Sequence, residues 1–147
     1  MICLAALVVW FSIPLALGAG DLAAVKAEPN LEKRARRALD NAAAAYQAAE
    51  EAYMKKGDPE QANAALDEVS QSVELAYASL RATGKNPVKR PRPFKAAEIR
   101  TRELLRRLAD LREAMSVLDR DQIDKVRATI QKIHDDLLAG IMGGKKR

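Results

Sequence analysis

The chain of 147 residues holds one histidine, His134, and one cysteine, Cys3. A Ser–His–acid triad would have to use His134, yet no Gly-x-Ser-x-Gly turn accompanies it. Asp135 and Asp136 follow it directly, but adjacent residues of a helix point about 100° apart and share no ligand face. A single His and a single Cys exclude a zinc finger, a disulfide framework and a c-type haem attachment. Asp119, Asp121 and Asp124 lack the Gly and Glu of a calcium loop; they suit a helix start, where carboxylates offset the macrodipole. A haem held by Met and His needs both ligands at one level on facing helices. In a simple up-and-down arrangement Met54 lies at the far end from His134, and Met142 shares the helix of His134. The spacing Ile130, His134, Leu138 reads instead as a histidine at the edge of a core stripe. No catalytic constellation can be assembled. The expectation is a non-enzymatic protein with no catalytic, cofactor-binding or metal-ligating residue and no cofactor. A metal or haem carrier through His134 is the last of three binding readings.

Charge is the stronger signal. The chain carries 25 Lys and Arg against 20 Asp and Glu, a net charge of +5. Residues 21–84 hold 8 basic and 11 acidic groups, residues 85–107 hold 9 and 2, and residues 108–147 hold 8 and 7. The excess is therefore confined to one stretch. Its candidate anion-binding residues are Lys85, Lys89, Arg90, Arg92, Lys95, Arg102 and Arg106, with Arg100 and Arg107 in the same run. Such density can hold an anionic surface. Ordinary ion pairs are the plainer account: Glu98 with Arg102 and Glu103 with Arg107 have the favourable i, i+4 order. Yet cations near a helix start oppose its macrodipole, so composition alone does not place them there. A second cluster, Lys33-Arg34-Arg36-Arg37, reads as a solvated face.

Residues 2–17, ICLAALVVWFSIPLAL, are apolar or nearly so, and no charge precedes Asp21. Pro14 and the small residues after it fit the end of a secretory signal, cleaved after Gly18 or Gly20. No Lys or Arg opens the segment, so its start relies on the amino terminus alone or lies further upstream. The alternative is an inner-membrane anchor over residues 2–20, close to the ~20 residues a span needs. Export favours lipid headgroups, cell-wall polymer or an acidic protein as partner, with peripheral membrane contact, over nucleic acid; the oligomeric state is left open.

These residues are positioned by four predicted helices. The first covers 30–56, where Leu39, Ala42, Tyr46, Ala49 and Tyr53 step by three and four. Its alanine stripe is thin and must lie close to a neighbour to bury useful area. Gly57-Asp58-Pro59 then supplies a left-handed closing residue, a cap and a first-turn proline, with Gln61 at the capping-box position. The second helix covers 59–83, with Ala62, Leu66, Val69, Val73, Ala76 and Leu80 as a heptad stripe. Residues 85–93, KNPVKRPRP, read as an extended linker reaching nearly 30 Å at ~3.1 Å per residue; it serves as either a turn or a crossover. The third helix covers 94–118, with Leu104, Leu108, Leu111, Met115 and Leu118 facing inward. Asp119 caps the fourth, with Gln122 completing a capping box and Leu118 and Ile123 forming a hydrophobic staple. Its stripe is Ile123, Val126, Ile130, Ile133, Leu137 and Ile141.

The first hairpin, with its Tyr-bearing helix, Gly-Asp-Pro turn and following proline, resembles a tetratricopeptide unit, but one hairpin is not an array, so a repeat fold ranks second. The stretch Glu98–Met142, with the run Arg102–Arg112 and IHDDLLAGIM over Ile133–Met142, resembles uncharacterised small exported α-helical proteins of bacteria. The resemblance implies compartment and fold and carries no activity or site residue. The expected fold is all-α: a four-helix bundle of two hairpins, preceded by a signal peptide. Residues 1–20 are the signal, 21–29 a flexible lead-in, 30–142 the bundle with its linker at 85–93, and 143–147 a basic tail. The expected role is a structural or protein-interaction module of the bacterial envelope, periplasmic or secreted. Binding of anionic surfaces through 85–107 is the alternative.

Overall fold

The computed structural model describes residues 21–143. The expected signal or anchor over 1–20, and the basic tail beyond Gly143, lie outside the described residues. Five α-helices follow in order, α1 (Leu22–Lys26), α2 (Leu31–Met54), α3 (Pro59–Ala82), α4 (Arg92–Ala114) and α5 (Arg120–Ile141). One 3-10 turn, Val117–Asp119, joins α4 to α5, and there is no strand among the described residues. None of the described helices is long and apolar enough to cross a membrane.

The closest packing is between α2 and α3, followed by α4 on α5 and α3 on α5, with α2 and α4 touching more sparsely. The alanine stripe explains the first. Ala38, Ala45, Ala49 and Ala52 are fully buried, because only side chains this small let two helix backbones approach. Asn41 crosses this seam, its amide donating to Ser72 Oγ at 2.8 Å and to Glu68 Oε1 at 3.0 Å. Between α4 and α5 the seam is built of Leu104, Leu108 and Leu111 against Ile123, Val126, Ile130 and Ile133, all buried.

Cross-helix bonds fix the directions. Arg100 meets Asp40, Tyr46 meets the Arg107 carbonyl, and Ser116 meets Tyr53, so residue numbers rise together and α2 runs parallel to α4. Gln122 with Asp67 and Tyr77 with Asp136 make α3 parallel to α5 in the same way. One end of the molecule therefore collects the starts of α2 and α4 and the ends of α3 and α5.

The turn after α2 keeps the expected glycine and Asp58 cap, but the capping box is not closed: the Asp58 N–H donates to the Ala52 carbonyl at 2.9 Å and not to the Gln61 side chain. Gly57 sits at φ +61°, the left-handed region that favours glycine, and the Asp58 carboxylate accepts the Gln61 N–H at 3.0 Å.

The segment 21–29 holds α1, where Asp21 caps the helix through the Ala24 N–H at 3.0 Å, and Val25 and Glu28 are buried; three expectations elsewhere need correction. Glu28 gathers Lys33 at 3.1 Å, Arg37 at 3.3 Å and the Asn30 N–H at 3.2 Å, contacts that hold its carboxyl below the usual range, Lys33 first. The linker 85–93 is not extended. Asn86 Oδ1 accepts the N–H groups of Val88 and Lys89, and the Asn86 carbonyl accepts that of Arg90 at 2.9 Å, which coils the segment into a turn. The third helix ends at Ala114, because Met115 adopts extended backbone at ψ 145°. Leu118 consequently faces water at 91% exposure instead of the core. Asp119 does precede α5 but makes no side-chain cap there. Its carboxylate accepts from Tyr53 Oη at 2.9 Å, Gln122 is spent on Asp67, and the staple between Leu118 and Ile123 does not form.

Candidate functional site

The structure divides the seven candidate anion-binding residues. Lys85, Lys89, Arg90 and Arg92 come together around a hollow of about 440 Å³ that also touches Glu32, Pro91 and Pro93. Lys85 is spent on an ion pair with Glu32. Lys89, Arg90 and Arg92 are exposed and take part in no ion pair among the described residues. Lys95 is exposed in the first turn of α4, outside that hollow. Arg102 and Arg106 stand on the outer side of α4, exposed, within reach of Glu98 at 3.6 Å and Asp110 at 3.8 Å. These two follow the plainer account, that of solvated i, i+4 pairs.

The four convergent residues owe their place to the turn. Pro87 rests on the end of α5, where a Cβ at Gly140 would meet it at 3.4 Å, and Val88 lies beside Gly143. The start of α4 is secured less well: Pro91 stands at its cap with no side-chain bond, and no acid lies in its first turn. Antiparallel packing of α3 on α2 brings Lys33, Arg34, Arg36 and Arg37 to the same end. Three of these are tied to the Glu28 residue, Arg34 through its backbone carbonyl at 2.7 Å. Arg36 is exposed and lines the neighbouring hollow.

That neighbouring hollow, about 410 Å³, runs between α2 and α4 over Leu39, Leu80, Pro93 and Ile99, with Arg36, Arg92 and Arg100 at its edge. Arg100 reaches Asp40 at 2.8 Å. Farther along, the Arg107 guanidinium covers the Tyr46 ring at 4.3 Å, and Tyr46 Oη donates to the Arg107 carbonyl at 2.9 Å. Burial first, then the Glu50 carboxylate, pushes the Tyr46 phenol up to about 12.

Charge is uneven along the molecule. The end described above, with residues 21–45, 69–105 and 128–143, carries 14 basic and 9 acidic side chains. The opposite end, residues 46–68 and 106–127, carries 8 and 11. The first is a basic pole and the second an acidic one.

No family model, no curated protein and no solved structure matches this chain.

His134 is buried against α4. Its Nδ1 lies 3.1 Å from Thr101 Oγ1 and its Nε2 3.8 Å from Glu98 Oε1. Met54 and Met142 are exposed at opposite ends of the fold, so neither shares a level with the imidazole. Among the described residues no group of three or more His, Cys, Asp and Glu side chains is placed to hold a metal ion. Sequence reasoning set Arg36 on a solvated face and passed over Val88 and Met142. For Arg36 the available signal was the Gly-Asp-Pro turn, which folds the end of α3 back beside the start of α2.

Proposed function

We propose that the protein is an exported four-helix bundle of two hairpins that works by binding, and that its working surface is the basic pole, directed at an anionic surface of the bacterial envelope. One observation carries the reading: Lys89, Arg90 and Arg92 converge, exposed and without carboxylate partners among the described residues, on a folded turn. Three like charges held together repel one another, and an anionic partner relieves that repulsion. The apolar run over residues 2–17, followed by small residues, supports the compartment. Mass spectrometry of the chain from an exporting host checks it: a start at Ala19 or Asp21 supports cleavage, and an intact Met1 supports an anchor.

The test of the surface is vesicle pelleting with Lys89, Arg90 and Arg92 all changed to Gln. Each basic group near an anionic membrane contributes about 1 kcal/mol, so the triple change should weaken binding roughly a hundredfold while leaving the fold intact. Wild-type binding should fall as salt shortens the screening length from ~10 Å at 0.1 M to ~3 Å at 1 M. Absence of binding at low salt, or binding indifferent to the triple change, refutes the reading.

A protein-interaction module is the second reading. It is favoured by the hollow between α2 and α4, where Ile99 is 50% exposed. An acidic segment with an apolar face suits that floor and its arginine edge.

A further inference from the structure

We infer that the basic pole docks on a bilayer containing anionic phospholipid, with Val88 and Met142 entering the interfacial layer and the acidic pole directed away. This rests on the reading of the pole as an anion-binding surface and names that surface. Val88 is 54% exposed, Met142 is 77% exposed and Leu138 is 40% exposed. A Cβ added to Gly143, just past the end of α5, would lie 3.5 Å from Val88, so these side chains share one end of the molecule. Lys89 and Arg90 follow Val88 directly in the chain, and both are exposed. A soluble phosphate polymer would satisfy the cations but offer nothing to Val88 and Met142. A bilayer interface offers both, with acyl-chain contact for the apolar tips and headgroup charge for the basic ring.

The opposite pole sets the orientation. It also exposes apolar side chains, Met54 at 58%, Val117 at 73% and Leu118 at 91%. Tyr53, bonded to Ser116 and Asp119, holds the end of α2 beside the Val117–Asp119 turn. The exposed charges near them in sequence are Glu51, Asp58, Glu113 and Asp121 together with Lys55 and Lys56, in the half of the molecule with the acidic excess. Hydrophobicity alone does not distinguish the two ends. Charge does, since an anionic bilayer attracts one and repels the other.

The experiment uses tryptophan reporters in the chain as exported. Trp10 is the single native tryptophan, and it is replaced by Phe throughout. Val88→Trp and Leu118→Trp then mark the two poles, both at exposed positions. The vesicles mix phosphatidylglycerol and phosphatidylcholine, with and without brominated acyl chains. With Val88→Trp, emission should shift to the blue and be quenched by bromine, while with Leu118→Trp it should stay as in water. Quenching at position 118 and not at 88 overturns the inference. So does water-like emission from both reporters while pelleting shows the protein on the vesicles. A second arm replaces Val88 and Met142 with Ser. Vesicle affinity should fall about tenfold or more, and binding to soluble polyphosphate should not change. If vesicle affinity does not fall, the bilayer inference fails and the anion-binding reading stands. If wild type binds neither vesicles nor polyphosphate, both fail.

Discussion

The seam between α2 and α3 and the seam between α4 and α5 solve one packing problem by opposite means. In the first, Ala38, Ala45, Ala49 and Ala52 face a helix that contributes Leu66, Val69, Ser72 and Val73. Small residues lose almost no side-chain entropy on burial, and they let the backbones themselves come into contact. In the second, leucines face isoleucines and valine, and apolar area per residue is large. A seam of small residues is vulnerable to enlargement, and a seam of large ones to truncation. The hydrogen bonds follow the same division. Asn41 makes its bonds inside the tight seam, whereas Arg112 grips Asp124 at the edge of the wide one, Nε to Oδ1 at 2.5 Å and Nη2 to Oδ2 at 3.2 Å.

The largest effect is expected in the wide seam. Ile130 is fully buried, and Ile130→Ala should cost roughly 2–5 kcal/mol of stability through the cavity left behind, measured by urea unfolding. The reciprocal change in the tight seam is Ala45→Leu, which should cost about 1–3 kcal/mol by overpacking. An Ala45→Leu chain as stable as wild type would mean the seam has room, and would end the contrast. Next come the turns after α2 and before α5. Asp58→Ala should lose about 1 kcal/mol, the worth of a side-chain cap. Asp119→Ala loses no cap but does lose the bond from Tyr53 Oη, and should cost about 0.5–1.5 kcal/mol. In a Tyr53→Phe background the Asp119→Ala loss should largely disappear while that of Asp58→Ala persists; an Asp119→Ala loss undiminished there would show that the Tyr53 bond is not what this turn relies on.

The smallest effect is a pH slope. Arg112 holds the Asp124 carboxyl below its ordinary value. A carboxyl depressed in the folded state adds stability above its unfolded pKa, and that stability is lost as pH falls through the folded one. Asp124→Asn should therefore flatten the decline in melting temperature below about pH 4, the unfolded carboxylate range. Glu28, depressed in the same direction, leaves a residual slope. An unchanged acid limb in Asp124→Asn would assign the whole slope to other carboxyls.

Much of the fold was legible because burial imposes a period. Ile130 and Ile133 fell on the stripe that the α5 sequence displays, and both are buried. The failures arose where a period was carried past a backbone change. Leu118 stands three residues after Met115 and fits the stripe, but extended backbone at Met115 resets the phase. In 85–93 three prolines suggested an extended path, and a single side chain, that of Asn86, folds it instead. The basic pole was half legible. Proximity along the chain marked Lys85–Arg92, yet it also drew in Arg102 and Arg106, which a helix carries away from the turn at 1.5 Å per residue. Val88 and Met142 are 54 positions apart in sequence, and only the parallel stacking of like helices puts them at one end.

The uncapped start of α4 has a dynamic consequence. Pro91 supplies no cap, the first turn holds Arg92 and Lys95 and no acid, and the positive end of the helix macrodipole points at those same cations. Such a turn frays more readily than its neighbours, and its amide hydrogens, that of Phe94 among them, exchange with solvent early. An anion seated at the pole would satisfy those amides and offset the charge at once. Slowed exchange confined to that turn would then report occupancy of the surface without any label on the ligand.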